Sequence, residues 1–408
     1  MHQRQHYFSG DKTRVAICRV LMLAALTGCV VSPLRIRAKE PDVVARLGVQ
    51  LADSVLKRWP NPDRITAKQW EYTNGIVLYG INRIYEKIGD RKYIDYIKSF
   101  VDQYVNADGQ IQPIRDGHNL DVIQPSNLLF VLYRETKEQK YLRCLKNTAA
   151  KFPAFPKNNE GGFWHKENYP NQMWLDGIYM AEPFIVRYGA EIAGNNQGGV
   201  DQAFFFNTAA FQIKLIAKHT LQETKGLACH AWDASKKAPW ASHSGTGVSP
   251  EVWSRGMGWY AMALVDTLEY LPQNHPDYLD IKMILKKVAV GLKATQDQQT
   301  GLWFQVMDKG SGKDNWNETS GSAMFVYTLK KAVRLGLIPS DYLGVAEKGW
   351  QGLKSKISYN SSGYPIVCGS AGAMGVKINY QSYINQWQED DLPHGIAAVL
   401  MAASEMEF

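Results

Sequence analysis

Apolar residues along the chain recur at the spacing of an α-helix. Between residues 93 and 104 they follow one another at intervals of three and four, so they share one helical face. A short polar tag ending in tyrosine begins this segment and three later ones, which indicates a repeated helical unit. The four tags are Asp90-Arg-Lys-Tyr93, Glu138-Gln-Lys-Tyr141, His275-Pro-Asp-Tyr278 and Pro339-Ser-Asp-Tyr342.

Glycine-containing loops, often with an aromatic residue, separate the helical segments. Five of them contain Gly109, Gly162, Gly226, Gly301 and Gly363, at successive intervals of 53, 64, 75 and 62 residues. This period exceeds that of common helical solenoids and fits a helical hairpin with a long loop. The predicted helices cover residues 42–58, 69–88, 91–106, 121–135, 138–151, 171–188, 203–220, 253–270, 277–296, 319–335, 341–354 and 389–405.

Six hairpins of this kind predict an all-α fold, an (α/α)6 barrel with six inner and six outer helices. An open stack of hairpins is the alternative, but it requires polar capping repeats, which the pattern lacks. We therefore predict one barrel domain over residues 40–408. The loops that lead from outer to inner helices meet at one end of such a barrel, where a concave mouth suits a small-molecule site.

Composition and charge narrow the class of protein. Aromatic residues make up 12% of the chain beside 34 glycines, which favours a ring-stacking surface of the kind that carbohydrate sites use, although core packing also uses aromatics. The net charge is +7, but residues 1–39 hold seven bases and one acid and supply most of it. The rest of the chain is nearly neutral, so nucleic acid is not expected as a partner.

The amino end has the features of a processing segment. A basic stretch leads into a short apolar run at residues 20–28, and Leu26-Thr-Gly-Cys29 resembles a bacterial lipobox. We expect residues 1–39 to be a leader and linker, with export to the periplasm or anchoring in the outer membrane through a lipidated Cys29. An ordinary secretory signal and an overlong gene start are the alternatives.

Two carboxylates stand at predicted junctions between a loop and an inner helix. Asp176 follows a loop that contains His165 and Lys166, and Asp121 lies at the equivalent point of the preceding hairpin. A helix N-terminus favours the aspartate anion, whereas aromatic neighbours such as Trp174 desolvate it and raise its pKa. Each aspartate alone is most simply a helix cap. Paired carboxylates at one mouth, however, are typical of glycoside chemistry.

A second group of residues suits an anionic sugar. Arg255 lies between Trp253 and Trp259, and it offers a forked donor for a carboxylate beside rings on which a sugar can stack. The alternative is an arginine packed on tryptophan as a structural cation–π pair. Phosphate-binding, dinucleotide-binding, HExxH and GxSxG motifs are absent, as are paired CxxC cysteines. We therefore expect neither a metal nor another cofactor.

Seven short stretches of the sequence, in their order and spacing, resemble those of glycoside hydrolase family 105, the unsaturated rhamnogalacturonyl hydrolases. The resemblance covers about residues 42–405. It rests on Trp70-Glu-Tyr-Thr-Asn-Gly75, Leu120-Asp-Val-Ile-Gln-Pro125, Phe163-Trp-His-Lys166, Gln172-Met-Trp-Leu-Asp-Gly177, His230-Ala-Trp-Asp233, Trp253-Ser-Arg-Gly-Met-Gly-Trp259 and Glu318-Thr-Ser-Gly-Ser322.

The resemblance implies the (α/α)6 barrel and the removal of a terminal 4,5-unsaturated uronic acid from oligosaccharides made by lyases, such as those of rhamnogalacturonan. It implies that Asp176 protonates C4 of the double bond and then activates water at C5. This step needs a positioned acid of raised pKa. It also implies that Asp121 is a second catalytic residue, which holds sugar hydroxyls and helps to position that water. Six further residues would bind the substrate, namely His165, Lys166, His230, Trp253, Arg255 and Trp259.

Three other functions fit the same sequence features less well. A sugar epimerase of the same barrel type uses two histidines at the ring, and His165 and His230 are candidates, but Asp176 stands between them in the sequence. A polysaccharide lyase shares the expected barrel. A non-catalytic glycan-binding protein uses the aromatic residues alone, and in that case Asp176 is dispensable.

Overall fold

The computed structural model describes residues 46–66, 69–113, 117–195, 201–242 and 245–408. The expected leader, with Cys29, lies outside the described residues. Within them, the chain forms thirteen α-helices and eight short strands. The helices are α1 Leu47–Arg58, α2 Tyr72–Ile88, α3 Arg91–Tyr104, α4 Leu128–Thr136, α5 Gln139–Ala149, α6 Leu175–Glu191, α7 Gln202–Thr220, α8 Ser254–Tyr270, α9 Tyr278–Thr295, α10 Thr319–Arg334, α11 Leu343–Lys354, α12 Tyr380–Ile384 and α13 Pro393–Met406.

Six of these helices form a closed inner ring. Helix α2 packs against α4 and against the short 3-10 segment that precedes α4. That segment packs against α6, and the contacts continue from α6 through α8 and α10 to α13, which packs against α2. Helices α1, α3, α5, α7, α9 and α11 lie outside them. The predicted (α/α)6 barrel is therefore confirmed, with the sixth hairpin made from the first and last long helices.

Burial distinguishes the two rings. On α8, every residue from Ser254 to Leu268 is buried, because an inner helix is covered on all sides. On α3, the buried residues are those of the predicted apolar stripe, from Tyr93 to Tyr104, together with Tyr96. The Asp90 side chain accepts a hydrogen bond from the Lys92 backbone N–H and so caps this outer helix. All four tyrosine tags lie at the starts of outer helices, namely α3, α5, α9 and α11.

Three inner helices begin at least four residues later than predicted. Residues 120–127 form two 3-10 turns before α4, because Asn119 caps the first turn and Pro125 lies in the second. Residues 172–174 form a strand instead of helix, because they pair with residues 231–233. The last helix starts at Pro393, where a proline suits the first turn. Each departure extends the loop at the mouth of the barrel.

The strands are confined to the connections between helices. They form four antiparallel pairs, which fasten loops to one another rather than building a sheet of their own. None of the described helices has the length and apolar character needed to cross a membrane. The pairs are β1 Gln172–Trp174 with β4 Ala231–Asp233, β2 Leu221–Gln222 with β3 Leu227–Ala228, β5 Ile357–Tyr359 with β6 Pro365–Val367, and β7 Ser370–Ala371 with β8 Gln388–Glu389.

Candidate active site

The inner helices begin at a common mouth, and each brings a polar side chain to it near its first residue. Aligned peptide dipoles give a helix N-terminus a partial positive charge, so this end of the barrel favours anions. The residues concerned are Tyr72 on α2, Asp121 in the turns before α4, Asp176 on α6, Arg255 on α8, Glu318 immediately before α10 and His394 on α13.

A pocket of about 220 Å³ lies at this mouth. Both predicted carboxylates, Asp121 and Asp176, line it together with His165 and Lys166. Rings from Tyr72, Tyr169 and Trp174 form its sides, and the segment 373–375 forms one wall. A larger cavity of about 460 Å³ lies beside the mouth, but its described lining contains no carboxylate. The pocket of about 220 Å³ is therefore the candidate active site.

Asp176 is held by a buried histidine. Its Oδ2 lies 3.0 Å from His230 Nε2, and His230 Nδ1 lies 2.9 Å from the Tyr383 hydroxyl. The Asp176 side chain keeps 15% of its surface exposed, whereas that of His230 is fully buried. Burial opposes ionisation of this carboxyl, but His230, His165 and Arg255 together outweigh burial and hold the pKa of Asp176 below its ordinary value. The protein's own charges therefore do not supply the raised pKa that the proposed chemistry needs.

Asp121 is the centre of a second polar group. Its carboxylate contacts Lys166 Nζ, and its Oδ1 lies 3.6 Å from His165 Nε2. Burial opposes protonation of Lys166, but the charge of Asp121 prevails and raises the lysine pKa. For His165, burial prevails and lowers the pKa, so the neutral imidazole is favoured. The group therefore holds one anion, one cation and one neutral hydrogen-bonding ring.

A glycine allows His165 to take this position. The imidazole stacks on Trp174, with centroids 4.5 Å apart, and its Nδ1 faces Gly177 on α6. A Cβ atom at residue 177 would come within 2.8 Å of that nitrogen, which is closer than real contacts allow. The motif that ends in Gly177 thus brings the loop of His165 close against the helix that carries Asp176.

Three predicted substrate-binding residues lie behind the pocket. Arg255 is buried, donates to the carbonyl oxygens of Ala371 and Gly372 at 2.6 Å each, and lies over the Trp253 ring. Trp253 packs against His230, and Trp259 stacks on Tyr179 at 5.0 Å. None of the three lines the pocket in the described structure, and their role as substrate contacts stays a prediction. The structural cation–π alternative describes Arg255 and Trp253.

His230 also acts from behind the pocket, through Asp176. The family resemblance predicts a substrate contact for His230, but its two ring nitrogens face Asp176 and Tyr383. Tyr383 comes from α12, some 150 residues further along the chain, and no motif marks it. The hydrogen-bond partners therefore assign His230 to the support of the carboxylate.

Glu318 and His394 each make a contact at the mouth besides those within the helix that they begin. Glu318 does cap α10, accepting from the backbone N–H groups of Ser320 and Gly321, but it also accepts from that of Ala371 at 3.0 Å. His394 Nε2 lies 2.9 Å from the hydroxyl of Tyr72 in the pocket. In the described residues, no group of three His, Cys, Asp or Glu side chains has an arrangement that holds a metal.

Comparisons with known proteins agree with this geometry. A family model described as Glycosyl Hydrolase Family 88 matches residues 49–408. A solved glycoside hydrolase from family 105 of C. acetobutylicum is 34% identical, with a TM-score of 0.81, over 88% of this chain and 99% of that one. A possible family 105 member from Klebsiella pneumoniae is 25% identical, with a TM-score of 0.71, over 83% and 82%.

Two curated relatives extend the likeness. Protein Atu3128 of Agrobacterium fabrum is 34% identical over 55% of this chain and 97% of its own length. The unsaturated rhamnogalacturonyl hydrolase YesR of Bacillus subtilis is 25% identical over 65% of this chain and 72% of its own length. The chain therefore belongs to the glycosyl hydrolases of family 88, and the likeness to family 105 that its motifs predict is confirmed by solved structures.

Proposed function

We propose that this enzyme removes a terminal 4,5-unsaturated uronic acid from lyase-generated oligosaccharides by hydrating the enol ether double bond. The observation that carries the proposal is the pocket of about 220 Å³, which brings Asp176 and Asp121 together with His165 and Lys166. Its size suits one sugar ring, so attack at a chain end is favoured. The N-termini of the inner helices favour the negative charge of a uronate at this mouth.

In the proposed reaction, Asp176 transfers a proton to C4, and positive charge develops at C5 and the ring oxygen. Nearby carboxylates stabilise that charge. A water molecule then adds to C5 and gives a proton to the Asp176 carboxylate, which restores the acid. The hemiketal at C5 opens and the aglycone leaves from C1. Asp121 is assigned to the sugar hydroxyls, because Lys166 and His165 hold its carboxylate in place.

The lowered pKa of Asp176 is compatible with this role. A bound uronate adds a negative charge and displaces water, and both changes raise the pKa of a neighbouring carboxyl. The 3.0 Å contact with His230 Nε2 offers a route by which a proton reaches Asp176. Arg255 is not assigned to the uronate, since its guanidinium donates to the carbonyl oxygens of Ala371 and Gly372.

Named relatives support the substrate class. YesR is named an unsaturated rhamnogalacturonyl hydrolase. A relative from an Alteromonas strain, 28% identical over 38% of this chain and 35% of its own length, is named an unsaturated 3S-rhamnoglycuronyl hydrolase. Both names describe an unsaturated uronyl sugar beside rhamnose, and we propose rhamnogalacturonan fragments as the first substrate to test.

We also propose export and lipid anchoring through Cys29, which the lipobox-like sequence supports.

The test follows the ultraviolet absorbance of the conjugated double bond. Purified enzyme is mixed with lyase products of rhamnogalacturonan, ulvan and glycosaminoglycans. We expect absorbance to fall with rhamnogalacturonan products, and Asp176→Asn to lower the rate by at least about a hundredfold, since general acid catalysis contributes about that much. Asp341→Asn, a matched change at an exposed residue, should leave the rate unchanged. Constant absorbance with every substrate contradicts the proposal.

A further inference from the structure

One large aromatic side chain lies exposed next to the pocket wall. Trp387 has 51% of its surface exposed, whereas each of the other eleven tryptophans is buried or half-buried, and all twelve lie within the described residues. Exposure of an indole to water is unfavourable by the hydrophobic effect, so a ligand that covers this ring gains binding free energy. Trp387 takes no part in the chemistry proposed above.

The backbone fixes this indole to the wall of the pocket. Strand β7 pairs with β8, and the Gly372 backbone N–H donates to the Trp387 carbonyl oxygen at 3.0 Å. The Gln386 side chain donates to the Ala373 carbonyl oxygen at 3.1 Å. Ala373 is the first residue of the wall segment 373–375 that lines the pocket. The indole therefore belongs to the rim of the same mouth.

Gly372 provides the surface on which the ring lies. A Cβ atom at this position would come within 2.0 Å of the indole, so only glycine lets the ring pack against the backbone. Behind Gly372, Arg255 donates to its carbonyl oxygen at 2.6 Å, and Glu318 accepts from the adjacent Ala371 N–H. One side of the ring is thus packed on a braced backbone, and half of the side chain remains open to solvent.

We propose that Trp387 forms a binding site for a neutral sugar of the aglycone, which stacks on the indole outside the pocket. The inference rests on the proposed function. Since the pocket suits one ring, the sugars that follow the uronate must lie at the rim, where Trp387 offers a flat apolar face. The C–H face of a pyranose is apolar, and it removes that indole surface from water on stacking. The neighbouring Gln386 and Gln388 are uncharged, which favours a neutral ring.

The experiment compares substrates of increasing length in wild type, Trp387→Ala and Trp387→Phe. We expect Trp387→Ala to raise KM about tenfold for an unsaturated tetrasaccharide, with kcat changed less than about twofold. The methyl glycoside of the unsaturated uronic acid, which has no second sugar, should be cleaved with unchanged KM. Trp387→Phe should restore most of the affinity for the tetrasaccharide. Leu279→Ala, at an exposed leucine on outer helix α9, is the control.

Two results overturn the proposal. If wild type and Trp387→Ala have equal KM values on every substrate, the indole does not stack on a sugar. If Trp387→Ala raises KM equally for the methyl glycoside and the tetrasaccharide, the substitution has displaced the pocket wall instead. A calorimetric titration of tetrasaccharide into proteins that carry Asp176→Asn separates this inference from the proposed function. In the Asp176→Asn background, adding Trp387→Ala should weaken tetrasaccharide binding about tenfold, even if no substrate is hydrated. An unchanged affinity refutes the inference.

Discussion

Glu182 makes the stability of this barrel depend on pH in a way that can be measured. It lies on inner helix α6, six residues after Asp176, and is almost fully buried. No hydrogen-bond partner reaches its Oε2 among the described residues. Burial alone raises the pKa of this carboxyl well above its ordinary value, so the folded protein keeps it protonated. Nothing in the proposed reaction uses this group.

The direction and size of the effect follow from proton linkage. The unfolded chain releases the Glu182 proton near pH 4.3, whereas the folded chain retains it. Stability from this residue is therefore complete below the unfolded pKa and is lost as pH rises through the folded pKa. Between those limits the free energy of unfolding decreases by about 1.4 kcal/mol per pH unit. From pH 5 to pH 7 the loss reaches up to about 2.7 kcal/mol.

Glu182→Gln keeps the shape of the side chain and removes its ionisation. We expect the stability of the variant relative to wild type to rise by up to about 2.7 kcal/mol between pH 5 and pH 7. Other titrating groups, such as His165, contribute equally to the free energy of unfolding of both proteins, so their contributions cancel in this difference. Urea unfolding followed by tryptophan fluorescence measures it, with the exposed residue change Glu223→Gln as the control. A difference that is the same at both pH values refutes the reasoning.

Two further predictions concern the bracing of the wall and the amino end. Glu318→Ala leaves the backbone N–H groups of Ser320, Gly321 and Ala371 without their acceptor, and it removes the carboxylate 4.0 Å from Arg255. It should lower the free energy of unfolding by about 3–5 kcal/mol in urea, and a loss below about 1 kcal/mol contradicts the bracing role. Expressed in a bacterium with an alkynyl fatty acid, the full chain should incorporate the label and Cys29→Ser should not. An unlabelled wild type contradicts lipid anchoring.

The helices could be predicted from the sequence because their signal is local. The stripe from Tyr93 to Tyr104 repeats within each turn, and all of it is buried. The start of α6 could not be predicted in the same way. Residues 172–174 form a strand only because residues 231–233, nearly sixty positions later, pair with them. A pattern within one segment contains no record of a partner so far along the chain.

The same difference separates the predicted site residues that line the pocket from those that lie behind it. Asp121, His165, Lys166 and Asp176 come together because inner helices of a barrel begin at one end, which follows from the fold. The role of Arg255 depends instead on carbonyl oxygens at residues 371 and 372, which occupy its guanidinium. Residue type alone indicated a carboxylate ligand. Only the burial and the partners of the side chain show that it braces the wall.

The electrostatics of Asp176 connect substrate choice to the proposed chemistry. His230, His165 and Arg255 keep this carboxyl ionised when the protein's own charges act alone. The contact between Asp121 and Lys166 brings opposite charges together, so that pair adds little net charge to the pocket. In the proposed mechanism, a bound uronate adds a negative charge that opposes the effect of these three residues, so the pKa of Asp176 rises as the substrate binds. In the proposed mechanism, a neutral sugar of the same shape displaces water but brings no such charge, so it raises the pKa of Asp176 less and leaves this carboxyl less able to protonate C4. The preference for an anionic sugar then lies in the activation of the acid as well as in binding, because only differential stabilisation of the transition state accelerates the reaction.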